Sequence, residues 1–261
     1  MLIDAHCHLT GDEYEETGGV ARAIARAKEA GVGIIVCSGF DLDSSIKAKS
    51  LAEAHEGVYF CAGFHPSELN EYQEGDLERI AKLCQSDKCV AVGEIGLDYH
   101  FDDNPPKPLQ KELFEKQLRL ACEAGLPVVL HSRDAAADTL EILEQNRELL
   151  KFGGLMHCYS YSPEMSDAFC ALGLHFSFGG PCTFKNAKKV WESVQRIPAH
   201  RILSETDCPY LTPVPFRGTF PNEPSMVSFV VEKLASLKGV STEEMQKRIY
   251  DNAKALFFKL K

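Results

Sequence analysis

Several features that define other protein classes are missing from this chain of 261 residues. None of its ten cysteines forms a CxxC pair, and no GxGxxG motif follows the first apolar segment. The first absence argues against a zinc finger, and the second against a dinucleotide-binding sheet. The longest apolar run, around residues 32–40, is interrupted by glycine and serine and is much shorter than the ~20 residues that span a bilayer.

Positive charge is also in short supply. The chain has 28 Lys and Arg against 38 Asp and Glu, which gives a net charge of -10. An acidic surface argues against a protein that coats nucleic acid through bulk charge. It remains compatible with a strand end or a small anionic substrate bound at a locally positive site.

The cysteines and the first residues bear on location. Many cysteines lie in apolar, strand-like runs, where they act as small buried hydrophobic residues rather than as disulfide partners. The segment Met1-Leu2-Ile3-Asp4 lacks the basic and apolar regions of a secretory signal. These patterns predict a cytoplasmic protein with no membrane partner.

Short β-rich runs alternate with longer helical segments along the whole chain. The predicted strands are residues 2–6, 33–38, 58–64, 89–95, 127–131, 153–157, 173–178 and 201–206. Helical spacing of apolar residues marks segments such as 20–30, 108–124 and 134–150. Eight strand–helix units in this length predict an α/β fold, a single-domain (β/α)8 TIM-like barrel over residues 1–261, rather than an open doubly wound sheet.

Most predicted strands end in a residue that can bind metal. These residues are His6, His8, His65, Glu94, His131, His157 and Asp207. In a barrel, the carboxyl ends of all strands meet at one rim, where active sites lie. Imidazole nitrogen and carboxylate oxygen suit divalent ions such as Zn, Mn, Co or Ni. The pattern therefore predicts a metal centre at this rim.

Each of these residues alone is also compatible with an ordinary structural role. His6 and His8 lie on one face of an extended strand, where they can bind one ion or simply end the strand. Glu94 and Asp207 follow buried strands, where a carboxylate is costly unless it is paired or bound to metal. The six strand-end residues other than His65 exceed what one tetrahedral ion needs, and they suffice for two ions that share a carboxylate. Such a pair suits the hydrolysis of a phosphate ester.

Six segments resemble, in order and spacing, the motifs of the TatD-type family of metal-dependent deoxyribonucleases, within the metal-dependent hydrolase superfamily. They are Ile3-Asp4-Ala5-His6-Cys7-His8, Gly63-Phe64-His65-Pro66, Val92-Gly93-Glu94-Ile95-Gly96-Leu97-Asp98-Tyr99, Leu130-His131-Ser132-Arg133-Asp134-Ala135, Met156-His157-Cys158-Tyr159-Ser160 and Glu205-Thr206-Asp207-Cys208-Pro209-Tyr210-Leu211. The resemblance runs nearly from end to end.

The resemblance implies two divalent ions, with Zn, Mg, Mn, Co and Ni all acceptable. One ion would be held by His6, His8, Glu94 and Asp207, and the other by Glu94, His131 and His157. The implied activity is hydrolysis of DNA phosphodiester bonds, often from the 3′ end. Some relatives have been linked to removal of D-amino acids from charged tRNA, so an ester or amide hydrolase, such as a D-aminoacyl-tRNA deacylase, remains the alternative.

The predicted mechanism uses a water activated by the ions, with Asp207 accepting its proton, so Asp207 and Glu94 are the predicted catalytic residues. Arg133 and His65 are predicted to contact phosphate oxygens, since a guanidinium fits phosphate well. The alternatives are that Arg133 pairs with a carboxylate and that His65 orients its loop. Glu205 is predicted to support a ligand from behind.

Further residues concern the ligand supports and the mouth of the barrel. Asp98 is predicted either to support a ligand or to cap a turn. Ser67 and Tyr161 stand where many relatives carry histidine and glycine, and both bear on substrate range. The long loop 208–224 carries aromatic and basic side chains that can stack bases or form a lid.

The predicted partner is DNA, as single strands or 3′ ends, and no feature predicts an obligate protein partner or an oligomeric state. A metal-binding module without catalytic activity is a third possibility. The intact set of six ligands argues against it, because a decayed enzyme is expected to lose some of them.

Overall fold

The computed structural model describes all 261 residues. Its eight strands form one parallel sheet in sequence order. The strands are β1 (Leu2–Cys7), β2 (Val32–Ser38), β3 (Val58–Ala62), β4 (Cys89–Asp98), β5 (Val128–Arg133), β6 (Gly154–Met156), β7 (His175–Phe178) and β8 (Ile202–Ser204). This nearly closed barrel confirms the predicted single-domain fold.

Nine α-helices surround the sheet. They are α1 (Val20–Glu29), α2 (Leu42–Ala54), α3 (Asp76–Leu83), α4 (Lys107–Ala124), α5 (Ala136–Gln145), α6 (Pro163–Ala171), α7 (Lys188–Arg196), α8 (Val227–Lys238) and α9 (Thr242–Leu256). Local signals set their ends. In α2, the Asp41 carboxylate accepts from the Ser44 amide and the Ser44 hydroxyl accepts from the Asp41 amide, which forms a capping box.

Two predicted elements differ in length from the observed ones. The helix predicted over 134–150 ends at Gln145, because the Asn146 side chain donates to the Ile142 carbonyl at 2.9 Å and the chain turns at 147–149. Strand β4 extends to Asp98 rather than to residue 95, because Gly96 and Asp98 continue to pair with β5. These extra residues carry Asp98 to the rim of the barrel.

The apolar side chains of strands and helices form one continuous core. All ten cysteines are free thiols, seven of them buried within this core, as expected for small hydrophobic residues. No helix combines the length and the apolar character needed to cross a membrane.

Strands β1 and β8 close the barrel through individual hydrogen bonds around their ends. The Ser204 hydroxyl donates to the Ile3 carbonyl at 2.7 Å, and the Asp207 amide donates to the His6 carbonyl at 3.0 Å. The buried Asp4 carboxylate accepts from the Thr206 amide at 2.9 Å. This seam therefore fixes His6 and Asp207 relative to each other.

Candidate metal centre

Six side chains from five strand ends meet at the carboxyl rim of the barrel. His6 and His8 come from the end of β1, Glu94 from β4, His131 from β5, and His157 and Asp207 from the segments after β6 and β8. Glu94 lies at the centre of the group and is almost completely buried. The backbone around it is tightly packed, since a Cβ on Gly93 would approach Val129 within 2.7 Å.

One group of donors surrounds Oε2 of Glu94. The Nε2 atoms of His6 and His8 lie 3.2 and 3.4 Å from this oxygen and 3.2 Å from each other. Oδ1 of Asp207 lies 3.6 Å from His6 Nε2 and 3.5 Å from His8 Nε2. Asp207 adopts a left-handed backbone conformation, with φ of 52°, and such conformations often occur at functional sites.

A second group surrounds Oε1 of Glu94. His157 Nε2 lies 2.7 Å from this oxygen, and His131 Nδ1 lies 2.8 Å from it. The two imidazole nitrogens are 3.1 Å apart. Nε2 of His65 is also near, 3.5 Å from Oε1, with its ring edge-on to that of His131. Glu94 thus directs one oxygen into each of two donor groups.

The donor spacing fits divalent metal. Ligands that a tetrahedral ion holds at about 2.0–2.2 Å lie about 3.3–3.6 Å from one another. The donors around Oε2 of Glu94 are separated by 3.2–3.6 Å. Nitrogen and carboxylate oxygen are also the donor types that such ions accept. The first group can therefore hold an ion without rearrangement, and the second offers the same chemistry at closer spacing.

Burial and mutual contact control the charges of these groups. Burial alone would raise the pKa of Glu94, but the surrounding imidazoles hold it well below its usual value, so the carboxylate is ionised. Burial and the neighbouring His157 lower the pKa of His6 to about 4, which keeps it in the neutral form that binds metal. Burial opposes the charge on His157 as well, but the Glu94 carboxylate raises its pKa to about 9. Metal binding at His157 would therefore release a proton.

Several groups behind the ligands orient the rings. Ser38 serves both histidines of β1, through its hydroxyl at 3.1 Å from His6 Nδ1 and its carbonyl at 3.0 Å from His8 Nδ1. Asp98 lies 3.0 Å from His131 Nε2, and its other oxygen accepts from the His100 amide at 2.9 Å. Both roles considered for Asp98 from the sequence, ligand support and capping, thus occur together.

Replacing Asp98 by alanine is expected to weaken metal binding about 10–100-fold, because His131 would lose the carboxylate that fixes its ring. Titration calorimetry of the metal-free protein with Mn²⁺ measures this change. Asp102→Ala, an exposed carboxylate in the same loop, is the matched control. Equal affinities for both variants would contradict the role given to Asp98.

Glu205 is completely buried and supports the chain beside His157. Its carboxylate accepts from the Cys158 amide at 2.7 Å and from the Ser177 hydroxyl, whereas His157 Nδ1 is 3.9 Å away, beyond hydrogen-bond distance. Burial raises the pKa of Glu205 to about 7. Glu205 therefore holds the backbone next to a ligand rather than the ligand ring itself.

The sequence reasoning did not identify Asp4 and Ser38. Asp4 bonds to Thr206 across the barrel seam, between the strands that carry His6 and Asp207. Burial raises its pKa well above the usual value. One signal for Asp4 was present: it is an ionisable residue inside an apolar strand and two positions before His6. Ser38 carried no such signal, because a serine at a strand end is common.

The predicted substrate contacts border an open groove above the donors. Arg133 is exposed, forms no ion pair, and lies over the ring of Phe101 with 4.9 Å between its guanidinium carbon and the ring centroid. His65 is held by Ser67, whose hydroxyl lies 2.7 Å from His65 Nδ1. Ser67 thus orients the ring whose opposite nitrogen approaches Glu94. Tyr161 lies away from the donors, with its hydroxyl 2.9 Å from that of Ser132.

Comparison with known proteins identifies the family. The TatD related DNase family matches residues 3–258. A Bacillus subtilis (strain 168) protein, named an uncharacterized metal-dependent hydrolase YabD, is 44% identical over 258 residues, which cover 98% of this chain and 99% of the relative. A Cronobacter sakazakii protein, named 3′-5′ ssDNA/RNA exonuclease TatD, is 31% identical over 262 residues, which cover 99% of this chain and 98% of the relative.

A solved structure agrees with these matches. The crystal structure of YjjV, a TatD homologue from Escherichia coli K12, has a TM-score of 0.91 to this chain at 31% identity and covers 98% of both chains. The similarity therefore extends over the whole barrel and not only over its motifs. The chain belongs to the TatD related DNase family of metal-dependent hydrolases.

Proposed function

We propose that this protein is a deoxyribonuclease of the 3′–5′ exonuclease type, which hydrolyses phosphodiester bonds at the ends of single-stranded DNA with two divalent ions. The observation that carries the proposal is the position of Glu94, whose two oxygens each face a separate group of donors. A bridging carboxylate of this kind is how paired ions are held side by side. The name of the Cronobacter sakazakii relative supports a nucleic acid substrate.

In this proposal the ligands divide as the donor groups do. His6, His8 and Asp207 share one ion with Glu94, and His131 and His157 share the other. Zn, Mg, Mn, Co and Ni all fit the donor types. When bound, such ions lower the pKa of water and stabilise the charge that develops on phosphate.

The chain's own residues then manage the proton and the phosphate. Asp207 has one oxygen facing His6 and His8, and it is ionised because the contact with His8 outweighs the effect of burial and lowers its pKa. It accepts the proton of the attacking water as the new bond from oxygen to phosphorus forms. The ester bond to the leaving oxygen breaks, and that oxygen receives a proton. The products are an alcohol and a phosphate monoester.

Arg133 and His65 contact the phosphate in this scheme. Arg133 is the exposed cation of the groove, and its fork of N–H donors has no carboxylate partner to compete with a phosphate. Burial lowers the pKa of His65 to about 3, so its ring is neutral and acts through hydrogen bonding rather than charge.

Aromatic side chains are concentrated around the same groove. Phe101 is 51% exposed and Tyr210 is 55% exposed, and both line the groove together with Arg133. Phe220 packs beside Tyr210, with ring centroids 6.1 Å apart. Exposed rings next to a cation are typical of surfaces on which unpaired bases stack. Their position favours a single strand over a duplex, whose bases are already stacked.

Replacing Phe101 or Tyr210 by alanine is expected to raise KM for a single-stranded oligonucleotide about 5–150-fold, the equivalent of about 1–3 kcal/mol for one stacked base. Steady-state kinetics on an oligonucleotide and on methyl p-nitrophenyl phosphate, which has no bases, separates stacking from catalysis. Phe258→Ala is the matched control, because Phe258 is 51% exposed and lies in the carboxyl-terminal segment after α9. A similar loss on both substrates would contradict the stacking role.

The experiment that tests the proposed function is digestion of single-stranded DNA labelled at its 3′ or its 5′ end, with Mg²⁺, Mn²⁺, Zn²⁺ or Co²⁺ added to the metal-free protein. We expect stepwise loss from the 3′ end that chelation stops. An absence of digestion with every metal, together with hydrolysis of a D-aminoacyl-tRNA, would overturn the proposal in favour of the deacylase alternative.

A further inference from the structure

A side cavity opens from the groove next to the candidate metal centre. It has a volume of about 230 Å³ and is bounded by the ends of β6 and β7 and by α7. Pockets for drug-sized ligands are larger, roughly 300–1,000 Å³. The cavity is therefore suited to one compact chemical unit and not to a continuing polymer.

The inner wall of the cavity is uncharged and belongs to the core. It includes Phe178 and Cys182, each 1% exposed, together with Tyr159, Pro181 and Val190. Charged groups occur only at the mouth. An apolar wall with no cation disfavours a phosphate, because a buried charge without a partner is expensive.

The mouth of the cavity is shared with the groove. Both are lined by His131, His157, Asp207, Arg133 and Leu211. A ligand in the cavity therefore has its outer end beside the donors of Glu94 and beside Arg133. Two hydroxyl groups, those of Ser132 and Ser160, line the cavity and can bond to polar atoms of a ring or sugar.

We propose that this side cavity receives the terminal nucleoside of the strand, with its base and sugar inside and its 5′-phosphate at the mouth. This inference rests on the proposed nuclease function. The rest of the strand leaves through the groove, past Phe101 and Tyr210. A cavity that holds one neutral unit and is closed by the core makes the enzyme cut one nucleotide from an end. It also requires that the terminal nucleoside carry a free hydroxyl and not a further phosphate.

The first test compares one oligonucleotide with three ends: a 3′-hydroxyl, a 3′-phosphate and a ligated circle. The expected result is release of mononucleotides from the hydroxyl form, digestion of the 3′-phosphate form slower by roughly tenfold or more, and no cleavage of the circle. Equal rates on the hydroxyl and phosphate forms, or cleavage of the circle, would overturn the inference while leaving the nuclease function in place.

The second test fills the cavity. Ser160 is exposed at its edge, so Ser160→Trp keeps the core intact while its indole takes up the space. We expect kcat/KM for the oligonucleotide to fall at least tenfold more than kcat/KM for methyl p-nitrophenyl phosphate. Val190→Trp fills the same cavity from α7 and serves as the second variant, with its melting temperature as a check on folding.

Val214→Trp is the matched control for these substitutions, since Val214 is 40% exposed in the loop after β8 and lines neither the cavity nor the groove. Parallel losses on both substrates in Ser160→Trp and Val190→Trp would overturn the inference. If the unaltered protein digests no nucleic acid but hydrolyses a D-aminoacyl-tRNA, the proposed function itself fails, and the cavity then takes the aminoacyl group.

Discussion

Alanine in place of Glu94 is expected to reduce hydrolysis by about 10³-fold or more. Both donor groups depend on this carboxylate, with Oε2 facing His6 and His8 and Oε1 facing His131 and His157. Its removal would leave several buried imidazoles without their counter-charge and would separate the two groups. The loss of charge stabilisation from paired ions amounts to several kcal/mol, which corresponds to this change in rate.

Metal content and rate must be measured together on Glu94→Ala. Elemental analysis after dialysis is expected to show less bound metal than in the unaltered protein, and the rate on 3′-labelled single-stranded DNA is expected to be near background. Glu74→Ala is the matched control, because it removes an exposed carboxylate from the loop before α3. Full activity in Glu94→Ala would exclude a bridging role for this residue.

Asparagine in place of Asp207 is expected to lower kcat about 10²–10⁴-fold while the protein still binds metal. The amide keeps the shape of the side chain and one oxygen donor, but it cannot accept the proton of the attacking water. A positioned general base contributes an effect of this size. Asp207 lies 3.5–3.6 Å from both histidines of β1, so it is placed to serve as ligand and base at once.

The measurement for Asp207→Asn is single-turnover hydrolysis at saturating metal, with bound metal determined on the same sample. Asp102→Asn removes an exposed carboxylate from the same end of the barrel and is expected to retain the parent rate. Near-normal hydrolysis by Asp207→Asn with metal bound would show that another group accepts the proton.

The barrel was predictable because its signals are local. Strands of alternating or continuous apolar character recur eight times, and glycine and proline separate them from helices. The lengths of single elements were less predictable. The early end of α5 depends on the side chain of Asn146, and the extension of β4 depends on pairing with β5.

The candidate ligands were also readable from the chain, because the residues at the carboxyl ends of parallel strands must share one rim. Their division into two groups was given by family resemblance, and the observed geometry follows the same division, with one oxygen of Glu94 in each group. Residues that support the ligands were harder to find. Glu205 was expected to hold a ligand ring and instead holds the backbone amide of Cys158.

By itself, then, the sequence determined the α/β barrel, the family and the rim at which histidines and carboxylates gather. These depend on the periodicity of side chains and on short motifs, which are properties of neighbouring residues. Only the tertiary structure decided that Asp4 ties β1 to β8, that Ser38 serves both His6 and His8, and that a neutral cavity opens beside Asp207. Those features join residues that are distant in the chain, and their geometry exists only after the barrel has closed.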